Sequence, residues 1–177
     1  MYKSYAGIGS RQTPEDILVV MSKLGKKLAS EGWTLRSGGA QGADNAFFTG
    51  VMEHNNNCAN VEIYLPWNKF NNHDTRNVGT IEAPLLSNWA NALAMAQHYH
   101  PAWDRLKRGG KSLQARNSYQ VLGRGLDTPA KFVVCWTPNG AVTGGTGQAI
   151  RMAMDHEIPI YNLGNQDDFN RITQWIG

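Results

Sequence analysis

The chain has 177 residues, 41% of them hydrophobic and 18% charged, with a net charge of +3. This is ordinary globular composition, long enough to bury a proper core, and one α/β domain over residues 1–177 is the simplest organisation. Two cysteines, Cys58 and Cys135, are too few for a disulfide framework, and the absence of an apolar stretch near ~20 residues or of a signal-peptide pattern argues against a membrane role and for the cytoplasm.

In chain order, Tyr5 to Arg11 reads as a strand running into a glycine turn. Thr13-Pro14-Glu15-Asp16 predicts a helix start, with Thr13 as N-cap and Pro14 in the first position. Ile17, Val20, Met21, Leu24 and Leu28 then recur at helical spacing until Gly32. Trp33-Thr34-Leu35 is a short second strand, followed by Ser37-Gly38-Gly39-Ala40-Gln41-Gly42-Ala43-Asp44 and a helix-compatible run to Met52. The polar connection His54 to Asn57 leads to a third strand, Val61 to Leu65, and Pro66 to Thr80 reads as a loop over the ligand edge.

An Ala- and Leu-rich helix is predicted from Pro84 to His98, broken at His100-Pro101, with a short helix starting near Trp103. The basic run Arg105, Lys107, Arg108 and Lys111 reads as a solvated loop or, alternatively, a patch that tracks phosphates, and Arg116 to Gly123 as a helix ended by glycine. Phe132 to Trp136 is a near-continuous apolar run, as a central parallel strand requires. Thr143 to Gly147 forms another glycine turn before a helix from Gln148 to His156, and Ile158 to Leu163 and Phe169 to Ile176 supply the last strand and helix. Strands alternating with helices predict an α/β fold with a doubly wound, mainly parallel sheet and helices on both faces.

The glycine turns follow strands, so they gather at the carboxyl edge, where open doubly wound sheets bind ligands. Helix starts there present N–H groups to an anion. Gly9, Ser10 and Arg11 form one group, and Ser37, Gly38, Gly39, Gln41, Gly42 and Asp44 a second. Asp44 either caps its helix or accepts from a ribose hydroxyl. Thr143, Gly144, Gly145, Thr146 and Gly147 form the third group. Arg36 faces either into the crevice or away from it. Trp67, Trp103 and Trp136 are candidates for stacking on a base, and His98 and His100 near Asp104 lack a third metal ligand at helical spacing. No metal or cofactor is expected.

These motifs, in this order and with Arg116-Asn117 between them, resemble the Rossmann-like domain of DNA-processing protein A (DprA/Smf). The wider SLOG superfamily also holds the Lonely Guy-type phosphoribohydrolases and nucleotide-sensing domains of bacterial immunity. The nearest likeness is to small single-domain DprA-like proteins of bacteriophages, and it covers nearly the whole chain. The resemblance implies a nucleotide-derived small-molecule partner, of ADP-ribose or cyclic signalling type, and a phage protein that sequesters a host immune signal in the host cytoplasm. Single-stranded DNA is the alternative partner, N-glycoside hydrolysis an alternative activity, and a homo-oligomer is compatible with all three. Arg116 and Asn117 enter the site through this resemblance. So does Gln148, which stands near the place of the hydrolases' catalytic Glu. An amide there can hold a ribose hydroxyl but cannot act as a general acid or base, so no catalytic residue is assigned.

Overall fold

Among the described residues there are six strands: β1 (Ser4–Gly7), β2 (Thr34–Ser37), β3 (Val61–Leu65), β4 (Thr80–Glu82), β5 (Val133–Cys135) and β6 (Ile160–Asn162). The computed structural model describes residues 1–55 and 60–177; part of the polar connection after His54, including Asn56, Asn57 and Cys58, lies outside the described residues. The helices are α1 (Glu15–Ser30), α2 (Ala43–His54), α3 (Trp89–Tyr99), α4 (Arg108–Leu122), α5 (Gly144–Asp155) and α6 (Gln166–Ile176). The strands form one all-parallel sheet in the order β4-β3-β2-β1-β5-β6. The fold is the doubly wound α/β architecture that the sequence predicts.

Alternating strand residues divide the core between two faces. Tyr5, Leu35, Ile63 and Val134 pack with α1 and α2 residues such as Met21, Leu24 and Phe47. Ala6, Val133 and Cys135 point the other way, against Val121 of α4 and Ala149 and Met152 of α5. Because both faces are covered, the central strands show continuous apolar runs. A Cβ on Gly50 would stand 1.9 Å from the Ser22 carbonyl oxygen, so α1 and α2 approach backbone to backbone.

The chain builds β1 to β4 outward in one direction, then returns to place β5 on the other side of β1. The strand order therefore reverses between β1 and β5, which opens a crevice at their carboxyl ends.

Several predicted boundaries move. Helix α1 starts at Glu15, with Pro14 in the cap position and no side-chain cap; the Thr13 hydroxyl instead donates to the Ser10 carbonyl at 2.6 Å. The stretch after Pro66 is not all loop, since Thr80 pairs with Ile63 and Thr80–Glu82 forms the edge strand β4. Three half-buried residues carry too little periodicity to be seen locally. Helix α3 starts at Trp89 because Ala83–Leu85 is a separate 3-10 turn, and Trp103–Arg105 is another. Helix α4 starts at Arg108, eight residues before the predicted start at Arg116, so Arg108 and Lys111 lie in it rather than in a loop. Helix α6 starts at Gln166, where the Asn165 side chain accepts from the Asp167 and Asp168 amides.

Candidate functional site

Beyond β1, the chain turns through Gly9, Ser10 and Arg11, all three lining the crevice. The Ser10 side chain accepts from the Gln12 amide at 3.0 Å, and its carbonyl takes the Thr13 amide at 3.2 Å. The loop is thus held by its own hydrogen bonds, and Arg11 projects into solvent at the rim.

The central glycine stretch plays a different part from the one its sequence implies. Ser37 is buried and donates to the Gly7 carbonyl at 2.6 Å, which ties the end of β2 to the end of β1. Gly39 (φ 72°) and Gly42 (φ 82°) take left-handed backbone that only glycine adopts freely. A Cβ on Gly42 would lie 2.8 Å from the Arg11 Cα, and the Ala43 amide points at the Ser10 carbonyl, 3.5 Å away. The start of α2 is therefore covered by the β1 loop and does not face an anion. Ser37, Gly38, Gly39 and Gly42 support the crevice from behind, and Gln41 is exposed outside it. From this stretch Ala40 and Asp44 reach the crevice.

Asp44 is 4% exposed and accepts from the Ala40 amide at 3.2 Å, so it braces the glycine loop from within the first turn of α2. Burial pushes its carboxyl above the usual carboxylate range, opposed first by the Arg116 guanidinium and then by the Ala40 amide. Arg116 Nη2 stands 4.0 Å from Asp44 Oδ2 across the crevice.

Helix α4 supplies the opposite wall. Leu113, Arg116, Asn117 and Gln120 recur at intervals of three and four residues, hence on one face, with Gln114 beside them. Arg116, 7% exposed, donates from Nη1 to the Leu113 carbonyl at 3.1 Å and to Asn117 Oδ1. Its Nε has no protein partner, nor do Gln120 Nε2, Gln148 Nε2 and Gln114 Oε1. Gly38 makes room for this wall: a Cβ there would lie 2.2 Å from Gln120 Nε2 and 2.5 Å from Arg116 Cζ.

The third glycine group is itself the first turn of α5, which starts at Gly144 rather than Gln148. Thr143, Gly144, Gly145 and Thr146 line the crevice, while Gly147 donates to the Thr143 carbonyl at 2.9 Å and lies outside it. The opening N–H groups of a helix have no acceptor within it, so this helix start presents donors and the positive end of its dipole. Gln148 is 0% exposed and outside the crevice, where its Oε1 accepts from Asn117 Nδ2 at 3.1 Å. It supports Asn117 and is not placed to meet a ribose. Beginning the helix four residues earlier turns position 148 inward. Asp155 and Glu157, the next acids along the chain, fall at the far end of α5.

The crevice has a volume of about 420 Å³. Phe70, Gln114, Gln120 and Thr137 also line it, and none was singled out from sequence. The spacing of Leu113, Arg116, Asn117 and Gln120 would have found Gln120; Phe70 sits in an irregular loop and carries no local signal. Arg36 points away from the crevice, 2% exposed, and donates to the Thr128 carbonyl at 2.6 Å. Trp67 is exposed and packs edge-on against Phe70, whereas Trp103 and Trp136 do not line the crevice. Cys135 is buried, its thiol pushed up to about 12 by desolvation. Among the described residues no group of three or more His, Cys, Asp or Glu could hold a metal, and no helix is long and apolar enough to cross a membrane.

No family model and no curated protein sequence matches the chain. Solved structures do. The DNA processing protein A of Helicobacter pylori, described for its single-stranded DNA binding mode, aligns at 18% identity and a TM-score of 0.58 over 97% of this chain and 72% of its own. The molybdenum cofactor carrier protein of Chlamydomonas reinhardtii aligns in one structure at 19% identity and a TM-score of 0.56 over 98% of this chain and 84% of its own. Another structure of that carrier gives 17% identity and 0.55 over 99% and 85%. At such identities the likeness concerns the fold alone: the chain has the doubly wound, Rossmann-like α/β architecture of these structures.

Proposed function

We propose that the crevice between β1 and β5 binds a nucleotide or nucleotide-derived ligand, with phosphate at the start of α5 and Arg11 at the rim. One observation carries this reading. Arg11, Arg116 and the open start of α5, from Thr143 to Thr146, line the same crevice. Guanidinium groups and the positive end of a helix dipole on one space favour an anionic, phosphate-bearing ligand. Sequestration of a host immune signal by a phage protein, the finer form of this reading, rests on the resemblance in sequence motifs. Mass spectrometry of small molecules released from the purified protein tests the proposal. A phosphorylated nucleoside derivative is the expected release; a ligand with neither phosphate nor base would overturn it.

Single-stranded DNA is a second reading, favoured by exposed Lys107 and Arg108 at the start of α4, where Gly109 lies against the exposed Trp67. Poly-dT binding with a steep salt slope would support it. N-glycoside hydrolysis is less well supported. Asp44 is the one carboxylate among the described crevice residues, and it is held by the Ala40 amide and Arg116.

A further inference from the structure

Soon after β3, three non-glycine residues take left-handed backbone close together: Lys69 (φ 64°), Asn71 (φ 50°) and Asn72 (φ 65°). Asparagine tolerates this conformation and lysine does so poorly, so the segment carries strain. Such strain persists only where surrounding contacts hold it, and it clusters at ligand clamps. The contacts are present here. Asn71 Nδ2 donates to the Gly39 carbonyl at 3.0 Å, and the Lys69 and Thr75 amides donate to Asn68 Oδ1 at 2.9 and 3.3 Å. A Cβ on Gly39 would lie 3.1 Å from the His73 ring, so the segment sits directly on the glycine loop. Phe70, with a left-handed residue on either side, is half-buried and is the one aromatic among the described crevice-lining residues. Trp67 packs edge-on against it, ring centroids 5.2 Å apart.

We propose that Phe70 is the stacking platform for the base of the ligand, which lies with its base on the β2 side of β1 and its phosphate on the β5 side; the inference rests on nucleotide binding in the crevice. The segment carrying Phe70 is fastened to the glycine loop that follows β2, whereas α5 follows β5, and the sheet places β2 and β5 on opposite sides of β1. The crevice therefore has an aromatic side and, across β1, a side of open backbone donors. A nucleotide has the same polarity, with an aromatic ring at one end and an anion at the other. Every base has a π-face, so the platform takes purines and pyrimidines alike. A sugar phosphate without a base gains nothing from it.

The test is calorimetric titration of the native protein and of Phe70→Ala with AMP, CMP, ADP-ribose and ribose 5-phosphate, with a melting curve for each protein. In the native protein AMP and CMP should bind tighter than ribose 5-phosphate. Phe70→Ala should weaken all three base-containing ligands about 5-fold or more, as expected for the loss of one base–aromatic stack, and leave ribose 5-phosphate unchanged. Phe70→Tyr keeps the ring and should bind AMP as the native protein does. Where Phe70→Ala melts too early to titrate, Phe70→Leu, which fills the space without a π-face, decides by the same selective loss. AMP affinity that survives the substitution would overturn the inference. So would equal losses for AMP and ribose 5-phosphate, which would make Phe70 a residue of the fold alone. Native binding of ribose 5-phosphate as tight as that of AMP and CMP overturns the inference and leaves phosphate binding standing. Failure of all four probes to bind overturns the nucleotide reading beneath it.

Discussion

Asp44 on α2 and Arg116 on α4 face each other across the crevice, 4.0 Å apart and both nearly excluded from solvent. They join the two sides of the molecule at its carboxyl edge, and Asp44 also holds the glycine loop through the Ala40 amide. Removing one member of a buried pair strands the other, at about 3–5 kcal/mol. Arg116→Met should therefore lower stability in denaturant by that order, with Asp44→Asn milder because its amide oxygen still accepts from Ala40. The double variant should recover much of the Arg116→Met loss. A double variant no more stable than Arg116→Met would show that the two residues act independently.

Arg11 stands apart from that pair, exposed at the rim, so its removal should leave the melting temperature unchanged. Arg11→Ala should weaken a nucleoside monophosphate by about 1.5–3 kcal/mol, the range for hydrogen bonds to charged groups. The matching nucleoside should hardly respond. Equal losses for both would place Arg11 away from phosphate.

Gly38 is constrained by space. Gly38→Ala should push aside Gln120 and Arg116, whose atoms lie 2.2 and 2.5 Å from the new methyl group. Ligand affinity should fall more than 10-fold while far-ultraviolet circular dichroism stays native. Gly42→Val adds strain at φ 82° to a clash with the Arg11 backbone and should destabilise the whole fold, visible as a lowered melting temperature. A Gly42→Val protein that melts normally would mean the β1 loop yields easily.

Alkaline pH should weaken the fold. The Cys135 thiol, ordinarily near 9.0, is pushed up to about 12 by burial, and the Tyr119 hydroxyl, ordinarily 10.0, also to about 12. Between those values the folded protein keeps protons that the unfolded chain has released, so stability falls as pH rises. The thermal midpoint should hold to about pH 9 and then decline, and Cys135→Ala should delay the onset toward pH 10, where the tyrosines take over. A native midpoint that is flat through pH 10.5 would contradict this.

The alternation of apolar runs with helical spacing was enough to predict the doubly wound parallel sheet, because burial on both faces imposes continuous apolar strands whatever the partners. Glycines at strand ends likewise marked the carboxyl edge, since left-handed backbone at Gly39 and Gly42 is a local demand. Which of those turns is open to a ligand is a tertiary matter. The start of α2 is covered by the β1 loop at Gly42, while the start of α5 lies open beside Gly144, and the two glycine motifs look alike in sequence. Whether Gln148 reaches the crevice depended on the first turn of α5, a shift of four residues that its own glycines conceal. Asp44 and Arg116 are separated by 72 positions, and their meeting follows from strand order alone. β5 returns beside β1 and brings α4 across the crevice from α2, a pairing that no local pattern encodes.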